Sequence, residues 1–419
     1  MKTKAVRLYG KNDLRLEQFN LPPIGDDEIL AKVISDSICM SSYKATCQGA
    51  EHKRVPDNVE RNPVIIGHEF CGELLQIGEK WKDQYEVGSK FVIQPALNYK
   101  GSLDAPGYSY SFIGGDATYV IIPNEVMEMN CLLPYTGDAM FKGSLTEPFS
   151  CVVGAFHASY HVQRGTYEHK MGIKEGGNMA ILAGAGPMGL AAIDYAIHAD
   201  RRPKLLVVTD INASRLQRAS SILTEAEAAK HGVTLCYVNT WNIMEQSEYL
   251  RRLAPEGFDD VFVMAPNTSW GETADKILAQ DGCLNFFAGP TDANFSVPFN
   301  FFNVHYSGTH VVGTSGGNAE DMRQALGMIS DGRLTPSALV THIGGLDCVI
   351  DTTKRLPQIP GGKKLIYTGI SLPLTAIDDF EKLADKNPLF RKLHEICSQN
   401  NGLWCTEAEQ VLLANAKKI

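Results

Sequence analysis

Up to about residue 155 the chain alternates apolar and polar residues in short runs, among them Ile29 to Ile34, Val64 to Ile66, Lys90 to Ile93 and Ala117 to Ile122. Gly, Pro, Asn and Asp separate the runs. Period-two alternation between turn residues predicts a mostly antiparallel β domain. From about Asn178 the rhythm changes. Continuous apolar runs, MAILAG, LLVVTD, TLCYVN, DDVFVMAP and CLNFFAG, now alternate with helical patterns over Pro187 to His198, Ser214 to about Lys230 and Gly271 to about Gln280. Buried strands alternating with helices predict an α/β fold with a doubly wound parallel sheet. One more helix is expected over Ala319 to Ser330, strands over Ala338 to Ile343 and Lys364 to Tyr367, and a polar, helix-patterned tail follows.

The turn after the first continuous run carries candidate chemistry. Gly184-Ala185-Gly186-Pro187-Met188-Gly189 leaves a strand and opens a helix, the context that gives a G-x-G-x-x-G match meaning. Gly184 suits the tight turn, Gly186 the approach of a pyrophosphate, and Gly189 close packing of helix on strand. The helix start offers unpaired N–H groups and the positive end of a dipole to phosphates. Asp210 ends the next strand, 21 residues beyond Gly189. There a carboxylate can accept both adenosine ribose hydroxyls and would repel a 2′-phosphate, which favours NAD(H) over NADP(H). Arg215, five residues on, would offset part of that repulsion, so both cofactors stay open.

A second constellation lies in the first domain. Cys39 follows the strand EILAKVISDSI, Gly67-His68-Glu69 follows PVII, and Glu147 stands in LTEP. Alone, each has an ordinary reading, a small buried hydrophobe or a surface dipeptide. Together, thiolate, imidazole and carboxylate are the ligand types of four-coordinate zinc. The wide spacing fits a site assembled by the tertiary fold. His157 and His161, i and i+4 on a predicted helix, have no third partner in the sequence and read as structural.

Composition narrows the function. With 39 basic and 48 acidic residues among 419, and a net charge of −9, nothing draws the chain toward nucleic acid or anionic lipid. The apolar stretch Met179 to Ile193 is short for a membrane span and is interrupted by glycines and a proline. No secretory signal opens the sequence. Ten scattered cysteines form no C-x-x-C pair, which suits reduced thiols and a cytoplasmic location.

The order of Cys39 and Ser41, Gly67-His68-Glu69, Glu147-Pro148, GAGPMG and Asp210 resembles the zinc-dependent medium-chain dehydrogenase/reductase superfamily, in its polyol dehydrogenase branch, over about residues 1 to 370. Segments such as SSYKATCQG, IIGHEFCGE and DGCLNFFAGP are most similar to the ketose-phosphate reductases of that branch. The resemblance implies a GroES-like catalytic domain over 1–156 and 317–372, a Rossmann domain over 157–316 and a helical extension over 373–419. It implies that Cys39 and His68 bind a catalytic zinc, with Glu69 and Glu147 as ligands directly or through water. Ser41 takes the place of the hydroxyl that relays a proton. The family chemistry combines zinc, which polarises a carbonyl, with hydride from a nicotinamide. The implied reaction reduces the C2 ketone of L-sorbose 1-phosphate to D-glucitol 6-phosphate. A polyol or threonine-type dehydrogenase acting on unphosphorylated substrate, and a nucleotide-binding relative without catalysis, are the alternatives. Relatives form dimers or tetramers, and HVVGTSG, residues 310 to 316, is a candidate edge for such a homo-oligomer.

Three departures from the family pattern stand out. Ser42 replaces an Asp beside the relay hydroxyl, so the surroundings of the metal must differ. Lys44 replaces a His that ends the proton path; it passes the proton on, holds a substrate phosphate together with His52, Lys53 and Arg54, or is simply solvated. No Cys lies between residues 72 and 130, where relatives hold a structural zinc, so one catalytic zinc per chain is expected. Tyr43 and Tyr110 are candidates for lining a polar sugar pocket.

Overall fold

The structure, a computed structural model, describes all 419 residues and resolves into two units. One comprises Met1–Glu147, Asn318–Asp331 and Leu339–Ile419; the other comprises Pro148–Gly317 and Gly332–Ala338. No helix is long and apolar enough to cross a membrane.

The second unit is built on six parallel strands. Their spatial order is Thr234–Asn239, Leu205–Asp210, Asn178–Leu182, Phe258–Val263, Leu278–Phe286, His310–Val312. This third-second-first-fourth-fifth-sixth order is doubly wound. The order reverses beside Asn178–Leu182, so the turn after that strand sits at the switch point, where such sheets bind ligands. Ala180, Ile181 and Leu182 are fully buried, as continuous apolar runs covered on both faces require. The helix Pro187–His198 is capped by Gly186, with the proline in its first turn, where the missing N–H costs nothing.

Two helices differ from expectation. The run from Ser214 to Lys230 is two helices, Ala213–Ile222 and Glu225–Lys230. Thr224 starts the second, its hydroxyl accepting from the Glu227 N–H at 3.1 Å. Thr-x-x-Glu is a helix-start signal that outweighs the continuing apolar period. The helix expected from Gly271 starts at Thr268, because the Asn267 side chain caps it, and ends at Ile277. His157 and His161 do not share a helix: Thr146–Ala158 ends first, and His161 lies on the strand Tyr160–Val162 with Nε2 3.2 Å from the Asp260 carboxylate.

The first unit holds a mixed sheet in the order Thr375–Ala376, Val340–Gly345, Lys363–Tyr367, Ile29–Ile38, Phe70–Ile77, Lys90–Ile93, Leu132–Tyr135, with Tyr119–Ile122 also paired to Ile29–Ile38. A smaller sheet joins Asp13–Asn20, Lys2–Gly10 and Val64–Ile65. The unit bounds depart from 156/157 and 372/373. Residues 148–156 fall in the second unit, where the carbonyl of Ala155 accepts from the buried Asn285 side chain at 2.8 Å. The tail beyond 372 belongs to the first: Phe380, Phe390, Trp404 and Leu412 share one core with Ile343, Leu365 and Tyr367.

That core has a polar centre. Glu409, 3% exposed, accepts from the Met140 and Phe141 N–H groups at 2.6 and 2.8 Å and from the Tyr367 hydroxyl at 2.8 Å. The Trp404 indole N–H donates in turn to the Tyr367 oxygen at 2.8 Å. Glu409 therefore caps the helix Met140–Ser144, just ahead of Glu147. Glu409→Ala leaves two amide donors without an acceptor, and a loss on the order of 3 kcal/mol is expected. A urea unfolding curve measures it; an unchanged midpoint would remove the network from the account.

Candidate metal centre and nucleotide loop

The metal centre is built from the ends of strands. Cys39 follows Ile29–Ile38 and stands at the N-cap of the helix Met40–Gln48. The Ser41 N–H points at its sulfur. His68 and Glu69 lie between Val64–Ile65 and Phe70–Ile77, both buried. A ligand atom from each of Cys39, His68 and Glu69 lies within 4.8 Å of the other two.

Glycines make this approach possible. Gly67 has φ +90°, and a Cβ there would stand 2.6 Å from the Asp116 amide nitrogen and 2.8 Å from Asp36 Oδ2. Gly107 has φ +81°, and a Cβ there would stand 2.0 Å from the Gly67 carbonyl oxygen. Only glycine fits both sites. The close contact brings the next residue, Tyr108, onto His68, with its hydroxyl 3.2 Å from Nε2 and the rings 4.8 Å apart. Ser42 Oγ is 3.3 Å from the other ring nitrogen. Below the turn, Asp36 Oδ1 accepts the Glu69 N–H at 3.2 Å. Burial and the neighbouring Asp116 and Glu69 charges push Asp36 well up, and burial pushes Asp116 up to about 7, so the pair holds a proton.

Electrostatics single out a residue that the sequence reading missed. Lys363, on the strand Lys363–Tyr367, pairs with Glu69 Oε1, and both are buried. Burial works to lower the Lys363 pKa, but Glu69, Cys39 and Glu147 more than reverse it, so the ammonium is retained. Burial pushes the Cys39 thiol up to about 12; Lys363 opposes the rise, while Glu69 and Glu147 add to it. Burial likewise pushes His68 down to about 4, so its imidazole is neutral and offers a lone pair. Glu147 is buried in the first turn of Thr146–Ala158 and acts on Cys39 and Lys363 by its charge, but stands outside the three-residue cluster.

Around Tyr108 the basic segment closes in. His52 stacks on its ring with centroids 5.6 Å apart, and the Arg54 guanidinium lies 5.6 Å from the same centroid. Burial first, then Arg54, Lys53 and Lys44, push His52 down to about 4. Ser41 bonds to the Tyr108 hydroxyl. Tyr43 and Tyr110 pack against apolar clusters instead.

In the second unit, the fingerprint loop is cut close. A Cβ at Gly189 would meet the Gly184 carbonyl oxygen at 1.9 Å, while one at Gly186 would meet nothing within 4 Å, so open space faces the helix start. The left-handed residue of the turn is Ala183, φ +54°, rather than Gly184, whose Cβ would strike Ile181 at 2.7 Å. Asp210 accepts the Ala185 N–H at 3.1 Å and the Asn212 N–H at 2.9 Å, one on each oxygen, which fixes it beside the loop. Beyond it opens a cavity of about 740 Å³ lined by Ile211, Asn212, Ser214, Asn239 and the 70% exposed Trp241 among others. Pro187 and Met188 are partly exposed, and Arg215 is exposed outside that lining.

Residues 25–130 match the alcohol dehydrogenase GroES-like domain and residues 187–331 the zinc-binding dehydrogenase domain. The chain is 49% identical to L-sorbose 1-phosphate reductase of Klebsiella pneumoniae over 417 residues, covering 100% of this chain and 98% of that protein. The chain belongs to the zinc-binding dehydrogenase family. Mannitol-1-phosphate 5-dehydrogenase of Aliivibrio fischeri is 50% identical over 98% of this chain and 97% of its own. A solved Sinorhizobium meliloti 1021 structure described as a zinc-binding dehydrogenase bound to NADP superposes with a TM-score of 0.70 at 20% identity, covering 88% of this chain and 100% of that one.

The residues fit the cofactors of a zinc-binding dehydrogenase. Glu69 Oε2 is buried without a hydrogen-bond partner, beside a thiol and a neutral imidazole. That is a donor set for zinc. The open approach at Gly186 and the anchored Asp210 suit a dinucleotide. Two members of the centre lay hidden. Lys363 has a faint signal, since Lys363-Lys364 opens a strand that is otherwise apolar; Tyr108 has none beyond the preceding glycine.

Proposed function

We propose that this dehydrogenase reduces the C2 ketone of a ketose phosphate, L-sorbose 1-phosphate to D-glucitol 6-phosphate, with NADH or NADPH. The carrying observation is the basic segment beside the metal centre: His52 and Arg54 both lie against Tyr108, the tyrosine that touches His68, and the charges of Arg54, Lys53 and Lys44 act on the His52 imidazole and help keep it neutral. Cations gathered against one face of a site are a recognition element for a phosphate dianion. In this substrate the phosphate is on the carbon next to the ketone, so it would lie near His68. In mannitol 1-phosphate oxidised at C5, it lies at the far end of the chain.

Cys39, His68 and Glu69 would hold the metal, with Glu147 as an outer carboxylate. Bound there, zinc polarises the substrate carbonyl, and the nicotinamide supplies hydride. Ser41 gives the proton to the oxygen, and Tyr108, bonded to Ser41 and kept neutral by burial, orients that hydroxyl. Gly184, Gly186, Pro187, Met188 and Gly189 would cradle the pyrophosphate, Asp210 the ribose, and Arg215 the outer edge of the adenosine site. A cytoplasmic location accords with ten cysteines that form no disulfide. Self-association through His310–Val312, the sheet edge with Val311 exposed, accords with the expected homo-oligomer.

The test is NADH oxidation by the zinc-loaded protein with L-sorbose 1-phosphate against L-sorbose, and NAD+ reduction with D-mannitol 1-phosphate. A preference of about 100-fold or more for the sorbose phosphate is expected. Arg54→Ala should lower its kcat/KM about 10- to 100-fold, the range of one charge-assisted contact, and leave free sorbose unchanged. Equal turnover of phosphorylated and free sugar sinks the reading; faster turnover of mannitol phosphate moves the reaction to the other end of the substrate.

A further inference from the structure

We propose that His198, Glu227 and His231 form a second metal site, remote from the active centre in sequence, for a divalent transition-metal ion of zinc type. The second unit supplies all three. His198 is the last residue of the helix Pro187–His198; Glu227 and His231 lie one turn apart on and just after Glu225–Lys230. A ligand atom from each lies within 4.8 Å of the other two, and all three side chains are partly buried.

The imidazole of His198 is prepared as a ligand. Its Nδ1 faces two acceptors, Asp194 Oδ1 at 2.8 Å and the Asp194 carbonyl oxygen at 2.9 Å, so the proton belongs on Nδ1. The lone pair is left on Nε2. Asp194 is itself fixed: it is 1% exposed, and its second oxygen accepts the Thr335 N–H at 2.7 Å. A buried carboxylate behind an imidazole sets the tautomer and raises the basicity of the free nitrogen in metal sites. Glu227 divides its oxygens, Oε2 to Lys230 at 2.6 Å and Oε1 toward His231 Nε2 at 3.4 Å. The His198 and His231 rings stand 80° apart with centroids 4.7 Å apart, edge to face rather than stacked.

Two nitrogens and a carboxylate oxygen suit zinc, nickel or copper, with positions left for water. Bonds of about 2.0–2.1 Å require the donors to close inward from their present spread, within reach of side-chain rotation at a partly exposed place. The ion would tie the far end of the helix that starts at the fingerprint loop to Glu225–Lys230, the second helix after it. A count of metals from cysteine spacing could not reveal it, since it uses no cysteine.

The experiment dialyses the holoenzyme against micromolar zinc and measures metal per chain, turnover and the thermal midpoint. Two ions per chain are expected in the wild type, and one in His231→Asn and in Glu227→Gln, with turnover unchanged. Zinc beyond the first equivalent should raise the midpoint of the wild type and not of the variants. One ion per chain in the wild type overturns the site, as does a second ion that persists in both variants. The proposal shares no residue with the ketose-phosphate reading, so the two can fail separately.

Discussion

Cys39→Ser should lower kcat/KM by about 1,000-fold or more, equivalent to about 4 kcal/mol of transition-state stabilisation, and strip zinc from the Cys39, His68 and Glu69 centre. Besides serving the metal, the sulfur only receives the Ser41 N–H at the start of the helix Met40–Gln48, which a serine oxygen can do as well. Its surroundings push the free thiol up to about 12, so only a soft, strongly binding cation displaces that proton. Lys363 and the Ser41 N–H then face the thiolate and reduce the cost of the charge. A serine hydroxyl is a far poorer zinc ligand and fills the same space. NADH affinity should be unchanged, because the fingerprint loop lies in the other unit. Elemental analysis with NADH titration decides it: full zinc content and turnover in the variant would remove Cys39 from the centre.

Lys363→Met is expected to destabilise the metal-free protein by about 3–5 kcal/mol, the range for breaking a buried ion pair from one side. Glu69 would be left buried with Oε1 unpaired and Oε2 already lacking a partner. The consequence in the presence of zinc is distinctive. A carboxylate that has lost its ammonium can compensate only by turning to the metal, so zinc should recover more stability in the variant than in the wild type. The double substitution Glu69→Gln with Lys363→Met should cost less than the single one, since the orphaned charge is gone. Denaturation midpoints of the four proteins, with and without zinc, complete the cycle; additivity of the two substitutions would show that the pair is not coupled.

Legibility in the sequence followed distance along the chain. The doubly wound unit could be read because each strand-helix step is local, and the helix Pro187–His198 has its proline and glycine signals in place. Cys39, His68 and Glu69 were readable through their residue types and order. The Glu69–Lys363 pair spans 294 residues and depends on which side of a buried strand Lys363 presents, which a short apolar run leaves ambiguous. Nothing in the sequence sets Tyr108 apart from Tyr43 and Tyr110, because its place depends on backbone contact between Gly67 and Gly107 rather than on any pattern of side chains. The tail read as an appendage because its helices are individually polar; their apolar faces meet the first unit only after the chain has folded back.

The sheet of the first unit carries a consequence for biosynthesis. Its strand Ile29–Ile38 pairs with Lys363–Tyr367, so a ribosome must emit more than three hundred further residues before that neighbour exists. The second unit is almost continuous from Pro148 to Gly317 and needs only Gly332–Ala338 besides, so it is complete before then. Nascent chains usually fold their leading part first. Here the order is inverted: the inserted unit can become native while the N-terminal strands still wait with an open edge. Chaperone demand should therefore peak late in synthesis, and chains released early should aggregate through the unpaired edge of Ile29–Ile38.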